Sequence, residues 1–565
     1  MIEYAPAYPL LLGAVLTLLF RGWIRAGIML AAPLVGLYML YTLGVGYTVE
    51  AGVMGLDLLP VRVDRLSMLF GILFYIAALL GNIYALHHDD GLQHVAAQAY
   101  AASAIGAVFA GDLLTLFIYW EVMAVTSSAL IFARRNERSA AAGMRYLAIQ
   151  IASGLLLLVG LIVYADASGS LLFEHIGLDT PGGWLIFIAF GIKCAFPLLH
   201  TWLTDAYPEA TAGGAVFLVS FTTKAAVYAL ARGFAGTEIL IYIGAVMAFF
   251  PIYYAVIEND LRRVLAYSLI NQLGFMVVGI GIGTELALNG TVAHAFSHVL
   301  YKGVLMMSMG AVLYVTGEIR ASELGGLYKR MPKTALLCII GAASISAFPL
   351  FSGFVSKAMV VSAVLHEGHF AVWLVLLFAA AGVFHHAGIK IPFFAFFAHD
   401  SKYVHTASEA PRSMLTAMSL GALLCILIGS FPQTLYALLP WPVDYSPYTV
   451  SHVLAQLQLL AFSALAFTWL KLSGIYPPEL KSTNLDAEWT YRKLFPSVLL
   501  ILARLVSRAH TIGLQLLDRM SIWGAAVVEF NCGEQGLPAR NRTIGGMVLW
   551  VALMLATSLV LYYLL

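Results

Sequence analysis

The chain has 565 residues, 61% of them hydrophobic and only 11% charged, with a mean hydropathy of +0.87. Soluble domains carry about a quarter charged residues, so this composition belongs to a membrane protein of many crossings. A net charge of +1 gives no case for nucleic-acid binding, and without any glycine-rich phosphate loop nucleotide binding has no support; four scattered cysteines (Cys194, Cys338, Cys425, Cys532) argue against an iron–sulfur or zinc site, so no cofactor and no metal is expected.

About sixteen apolar runs approach the ~20-residue length of a membrane-spanning helix. In chain order they fall near 5–20, 25–45, 66–86, 94–110, 113–133, 143–164, 184–203, 211–234, 238–257, 264–284, 290–316, 335–363, 370–397, 413–438, 454–473 and 545–565. The N-terminus lacks the basic start and small-residue cleavage site of a secretory signal, so the first run is read as a retained span. With the N-terminus outside, the inner loops collect Arg21, Arg25, Arg134, Arg135, Arg138, Arg262, Arg263, Arg320, Lys329, Arg330, Lys333, Lys402 and Arg412. The outer loops hold mainly Asp166, Glu174, Asp179, Glu238, Glu285, Glu367 and Asp444, with Arg62, Arg65 and Arg232 as exceptions. This alternation follows the positive-inside rule and predicts a cytoplasmic-membrane location.

After the fifteenth run the character changes. Residues 474–492 read as a polar linker. From Lys493 to about Phe530, Leu502, Leu505, Ala509, Ile512, Leu516, Met520 and Trp523 recur at helical steps opposite Arg504, Arg508 and Arg519. This predicts a long amphipathic helix that lies on lipid, straps a neighbouring subunit or packs on its own bundle.

Several charges sit inside the apolar runs. A charge at the centre of a membrane helix costs about 2.5–3.5 kcal/mol on insertion scales, so such residues normally face a polar interior and act there. Glu121 is isolated in its run, and Lys193 is its natural partner. Pro197 breaks the helix four residues after Lys193, and Lys224 lies in the next run. A broken helix beside a charge is a recurring way to build a midplane ion site. His294, His298 and Lys302 are four apart and share one helix face, a pattern suited to passing protons. Two histidines four apart also suit a metal, but the third residue is a lysine, which favours the proton reading. The twelfth run is interrupted at Pro349 and Gly353 with Lys357 nearby, and Lys390 follows His385 and His386. Lys193 and Lys224 are 31 apart and Lys357 and Lys390 are 33 apart, which predicts an internal repeat, inverted because five runs separate the copies. Lys390 also lies near enough to the inner loop to snorkel.

At these residues the sequence resembles the antiporter-like membrane subunits shared by Mrp-type multisubunit Na⁺/H⁺ antiporters, respiratory complex I and membrane-bound hydrogenases. The matching stretches are PLLHTWLTDAYPEA, LAYSLINQLGF, HAFSHVLYKGVLMMSMG and FPLFSGFVSKAMV, within residues 60–435. The resemblance implies an all-α bundle with a fourteen-helix core, two inverted five-helix repeats, about two further C-terminal spans and an amphipathic lateral helix. It implies a charge pair of Glu121 and Lys193, central lysines Lys224 and Lys302 with His294 and His298 before the latter, and Lys357 at the end of the second half-channel. Lys390 rests on the repeat argument alone. Thr204, Tyr207 and Thr211 depart from the family pattern at the rim of the broken helix.

The expected organisation is residues 1–93 as N-terminal helices, 94–234 and 238–397 as the two repeats, 413–473 as C-terminal core helices, 474–544 as linker and lateral helix, and 545–565 as the last span. The expected function is the proton-translocating subunit, D-like, of a Na⁺/H⁺ antiporter. The alternative is a proton-pumping subunit of a redox complex, either NADH:quinone oxidoreductase or a membrane-bound hydrogenase. The expected partners are other membrane subunits, protons, Na⁺ and the lipid bilayer.

Overall fold

The computed structural model describes residues 4–53, 55–480, 484–534, 536 and 544–564. The chain forms two compact units, residues 1–484 and 485–565. The first unit opens with α1 (Tyr8–Leu19) and α2 (Gly22–Leu43), followed by an antiparallel hairpin, β1 (Thr48–Val53) and β2 (Leu56–Arg62). Then come α3 (Arg65–Ala85), α4 (Gly91–Phe109), α5 (Leu113–Phe132), α6 (Glu137–Ser168), α7 (Gly183–Lys193), α8 (Thr201–Ala206), α9 (Ala212–Leu218) and α10 (Thr222–Gly233). Next are α11 (Ile239–Ile257), α12 (Leu261–Ile282), α13 (Glu285–Thr316), α14 (Pro332–Ile345), α15 (Ser352–His366) and α16 (Phe370–Val383), which runs on through π-helical turns at Phe384–Lys390 and Phe393–Phe397. The unit closes with α17 (Arg412–Ser430), the short α18 (Gln433–Tyr436) and α19 (Val450–Leu472).

Among the described residues thirteen helices are long and apolar enough to cross a membrane, and shorter apolar helices supplement them. The chain is therefore a multi-pass membrane protein. The first expected span is shorter than predicted: α1 has 12 residues, about 18 Å at 1.5 Å per residue. The hairpin was not expected from the sequence. Just beyond it, Asp64 pairs with two of the misplaced basic residues. Arg232 is ion-paired with Asp64 at 2.6 Å, and Arg62 lies 3.8 Å from Asp64 and 3.7 Å from Glu174. Burial alone would raise the Asp64 carboxyl, but Arg232 draws it below the usual carboxylate value.

The repeat is visible in the backbone itself. Helix α4 recurs as α11 with both ends 148 residues later (91 to 239, 109 to 257). Helix α6 recurs as α13 with the same offset (137 to 285, 168 to 316), each of 32 residues and each ended by a left-handed glycine, Gly169 and Gly317. Asp112 caps α5 and bridges to Leu172; Asp260, 148 residues on, caps α12 and bridges to Arg320. Each copy holds five spans, an odd number, so the second runs through the bundle the other way up.

The broken helices correspond as well, now 152 residues apart. Ala195 and Leu198 have φ of 62° and 69°, and Ala347 and Leu350 have φ of 57° and 74°. Both pairs flank a Phe-Pro step, at Pro197 and Pro349. Proline removes a donor and forces the preceding residue out of the helix. Left-handed alanine and leucine cost about 1–2 kcal/mol each, so the surrounding packing must hold them. At Gly353 a Cβ would meet the Ser344 carbonyl, so only glycine lets α15 start against the end of α14.

This register corrects the lysine equivalence expected from spacing. Lys357 corresponds to Asp205, and Lys193 to Ile345. The interruption repeats, but the lysines beside it do not.

Helices α12, α13 and the α9–α10 pair are the most enclosed spans. Outward faces stay apolar, as with Leu155, Val159 and Ile162 on α6 or Phe249 and Tyr253 on α11, a surface suited to lipid. The second unit contains α20 (Phe495–Cys532), one helix of 38 residues carrying the expected apolar stripe, and α21 (Ile544–Leu564).

Candidate functional site

The eight ionisable residues singled out by sequence fall into a chain of polar clusters within the first unit. Lys193, Lys224, Lys302 and Lys390 are fully buried and Lys357 is 3% exposed. A buried ammonium needs acceptors, and the fold supplies main-chain carbonyls, several of them at helix ends and breaks. A helix C-terminus carries partial negative charge and unsatisfied carbonyls, so it suits a cation.

In the first cluster, Lys193 Nζ donates to the Trp120 carbonyl at 2.6 Å and lies 4.6 Å from the Trp120 ring centre. Trp120 is held by its own indole N–H, which donates to Ser153 at 3.1 Å. Glu121 makes no direct ion pair with Lys193, although the two lie within electrostatic range. Its Oε1 is buried without a hydrogen-bond partner among the described residues. That oxygen is seated against Gly154, where an added Cβ would collide with the carboxylate. Glu121 as a whole is half-buried, so the expected pair is two facing charges with a gap between them.

In the second cluster, Lys224 Nζ donates to the Val219 carbonyl at 2.7 Å and to Thr223 Oγ1 at 3.1 Å. Val219 follows the end of α9, because this span is also broken, between Leu218 and Thr222. The sequence pattern predicts one continuous helix over 211–234, and no proline marks the break. Tyr100 repairs it from α4, accepting the Thr222 backbone N–H at 3.0 Å and sharing a hydrogen bond with the Thr222 hydroxyl at 2.7 Å. Thr211, one of the departures from the family pattern, caps α9 by accepting the Gly214 N–H at 2.8 Å.

The third cluster spans the second repeat. Lys302 Nζ donates to Ser268 Oγ at 2.9 Å and to the Leu265 carbonyl at 3.3 Å. Tyr301 donates to Gln272 Oε1 at 3.1 Å and lies 3.5 Å from His294 Nε2. His294 Nδ1 is 3.2 Å from Ser356 Oγ, next to Lys357, whose Nζ donates to the Ile345 carbonyl at 3.0 Å. His298 has no hydrogen-bond partner on either nitrogen among the described residues. It lies within electrostatic range of Lys224, Lys302 and Lys357 and so stands where the repeats meet. A buried ring with two unpartnered nitrogens is a place for water.

Lys390 is not beside Lys357 and does not snorkel. It donates to the carbonyls of Val256 at 2.6 Å and Glu258 at 2.7 Å, and it is ion-paired with Glu479 at 2.9 Å. Glu479 was missed, because residues 474–492 read as a solvated linker. Tyr476 in that stretch is in fact buried, and the Glu479 side chain is only 6% exposed. Ser268, Gln272, Tyr301 and Ser356 were also missed as partners; all four lie in stretches quoted for the family resemblance. Among the described residues no group of His, Cys, Asp and Glu is placed to hold a metal ion.

Residues 110–384 match the family model described as NADH:quinone oxidoreductase/Mrp antiporter, transmembrane. The chain is 27% identical over 417 residues to Hydrogenase-4 component B of Escherichia coli K12, covering 66% of this chain and 62% of that protein. It is 31% identical over 309 residues to the D-type Na(+)/H(+) antiporter subunit of Alkalihalophilus pseudofirmus, covering 50% of this chain and 62% of that one. The chain thus spans about three fifths of the length of these curated relatives. Its fold is that of a chain in the Mrp complex of Dietzia sp. DQ12-45-1b, with a TM-score of 0.73 at 23% identity, covering 99% of this chain and 63% of the other.

Proposed function

We propose that this chain, whose residues 110–384 match the model of the NADH:quinone oxidoreductase/Mrp antiporter family, is a member of that family and the proton-translocating subunit of a multisubunit Na⁺/H⁺ antiporter. The observation that carries this reading is the row of five buried lysines, spread over both repeats and interleaved with His294, His298 and unpartnered polar atoms. Protons enter from the basic end, which faces the cytoplasm with the N-terminus on the other side of the inner membrane. Glu121 supports the charge on Lys193; when that support lapses, the proton moves to Lys224. His298 carries it to Lys302, and Tyr301, His294 and Ser356 link that cluster to Lys357. Water completes the gaps that the side chains leave. Other membrane subunits of the same complex supply the sodium path.

The experiment is Na⁺-driven proton movement in vesicles holding the whole complex. Lys302→Ala removes the ammonium at the centre of the third cluster and should lower flux by about a hundredfold or more, the usual scale for loss of a proton-transfer group. Wild-type flux in that variant, at matched amounts in the membrane, rules the relay out. A redox-complex reading is supported by the match to Hydrogenase-4 component B, which covers 66% of this chain. Flux that follows a redox reaction and ignores a sodium gradient would select it.

A further inference from the structure

Glu479 lies after the last span of the first unit, outside every stretch that the function above uses. Helix α19 ends at Leu472, and Gly474 turns the chain with φ 72°. The Tyr476 backbone N–H donates back to the Leu470 carbonyl at 3.0 Å. The Tyr476 ring stacks on His385 with centroids 5.5 Å apart and planes 15° from parallel. Pro477 and Pro478 stiffen the next step, and Glu479 is delivered to Lys390. Two carbonyls at the end of α11 and one carboxylate therefore surround a single ammonium.

The other nearby carboxylate is already satisfied. Glu258 accepts from the backbone N–H groups of Asn259 and Asp260 and from Asn484 at 3.2 Å, and Arg263 lies 3.9 Å away. Glu479 has no hydrogen bond beyond its ion pair among the described residues. A cavity of about 550 Å³ at the basic end is lined by Glu258, Arg263 and Leu480, the residue after Glu479. Also near Lys390 is His386, fully buried, with the Gly382 carbonyl beside its ring, and within electrostatic range of both Lys390 and Lys302.

We propose that Glu479 is the proton-loading carboxylate of the second repeat, and that its ion pair with Lys390 is the gate between the cytoplasmic cavity and the relay. The proposal rests on the transport reading above. The Glu479 carboxylate accepts a proton from water in the cavity and becomes neutral, which releases the Lys390 ammonium. Lys390 gives its proton to His386 and becomes an amine. The amine then takes the proton from Glu479, restoring the carboxylate and the ion pair, while His386 passes its proton towards Lys302. Burial raises the Glu479 carboxyl above the ordinary carboxylate value against the pull of Lys390, which brings it towards the range where it can load. The titratable or charged groups around it are Lys390, Lys471, Glu258, Arg263, His385 and Tyr476.

The test measures proton flux from pH 6 to 9 in vesicles holding the whole complex, for wild type, Glu479→Gln, Glu479→Asp and Lys302→Ala. Glutamine keeps the shape and a hydrogen bond to Lys390 but cannot load a proton. Flux in Glu479→Gln should fall about a hundredfold, at the low end of proton-transfer effects. The acid-side limb of the pH profile should disappear with it. Glu479→Asp keeps a titratable group and should recover most of the flux with a displaced limb. A residue that merely fastens the segment would leave the limb in place. Wild-type flux and profile in Glu479→Gln overturn the proposal. If that variant does not accumulate, an undisplaced limb in Glu479→Asp overturns it instead. If Lys302→Ala also equals wild type, the transport reading fails first.

Discussion

Helix α6 of the first repeat and α13 of the second have equal length and equivalent places. On α13, three successive turns carry His294, His298 and Lys302. The positions 148 residues earlier on α6 carry Tyr146, Gln150 and Gly154. Gln150 is as buried as His298, and both its amide atoms lack a partner among the described residues, as both nitrogens of His298 do. The glycine opposite Lys302 leaves room for a carboxylate to enter from α5. Glu121 itself corresponds to Leu269, and Lys193 to Ile345. One backbone thus serves two charge plans. In the first copy these three helix positions are uncharged, and charges come to them from α5 and α7. In the second the helix bears the charge and its neighbours provide hydroxyls and carbonyls. What the copies share is the column of buried polar groups and the interrupted helix, so these are the parts the fold enforces.

The strongest way to break this comparison is to remove the charge that only the first copy has. Glu121→Gln should lower flux by about a hundredfold or more. Glu121→Gln with Lys193→Ala should be no worse than the worse single change, because groups acting as one unit are non-additive. Full flux in the single variant would leave the first copy without a function for its carboxylate.

A milder change sharpens the same point through space rather than charge. Gly154→Ala places a methyl where the Glu121 carboxylate sits, so it should displace that group and cut flux about tenfold, part of the range for a misplaced catalytic group. Gly303, beside Lys302 in the second copy, has open space at its Cβ position. Gly303→Ala should leave flux unchanged and raise thermal stability by about 0.5–1 kcal/mol. Equal loss in both variants would mean that glycine serves helix packing alone.

The smallest effect lies in the connecting loops. In the second copy Glu318 is held at about 2, first by the hydrogen bond from Arg320 and then by backbone N–H groups. The equivalent loop of the first copy has Ser170 and Leu172 instead. A depressed carboxyl contributes stability that is complete above its unfolded value near 4.5 and is lost as pH falls to about 2. Glu318→Gln should therefore flatten the acid-unfolding curve between those values and leave flux at neutral pH alone. An unchanged curve would show that Arg320 pairs elsewhere on unfolding.

The spans, the two proline breaks and the inverted copies were legible because hydropathy and proline act locally. The α9–α10 break was not, since it is made by Lys224 and Tyr100 taking up main-chain groups, and no residue at Val219, Ser220 or Phe221 announces it. The lysine spacing misled because Lys193 precedes its proline break and Lys357 follows its own, so near-equal intervals pair residues on opposite sides of the interruption. Glu479 was hidden because Pro-Pro-Glu-Leu-Lys has the composition of a loop. Its burial depends on His385, Tyr476 and Lys390, which come together only in the folded chain.

Lys224, Lys302 and Lys357 are held by carbonyls and hydroxyls, none of which carries a formal charge. A site of that kind keeps its partners whether it is full or empty, so the interior charge counts the occupants. Like charges in a poorly screening medium repel over many ångströms, and Lys302 lies within reach of both Lys224 and Lys357. In the proposed function the row would work as a queue with exclusion: an arrival at one end presses on those ahead, and the occupants at any instant number fewer than the places.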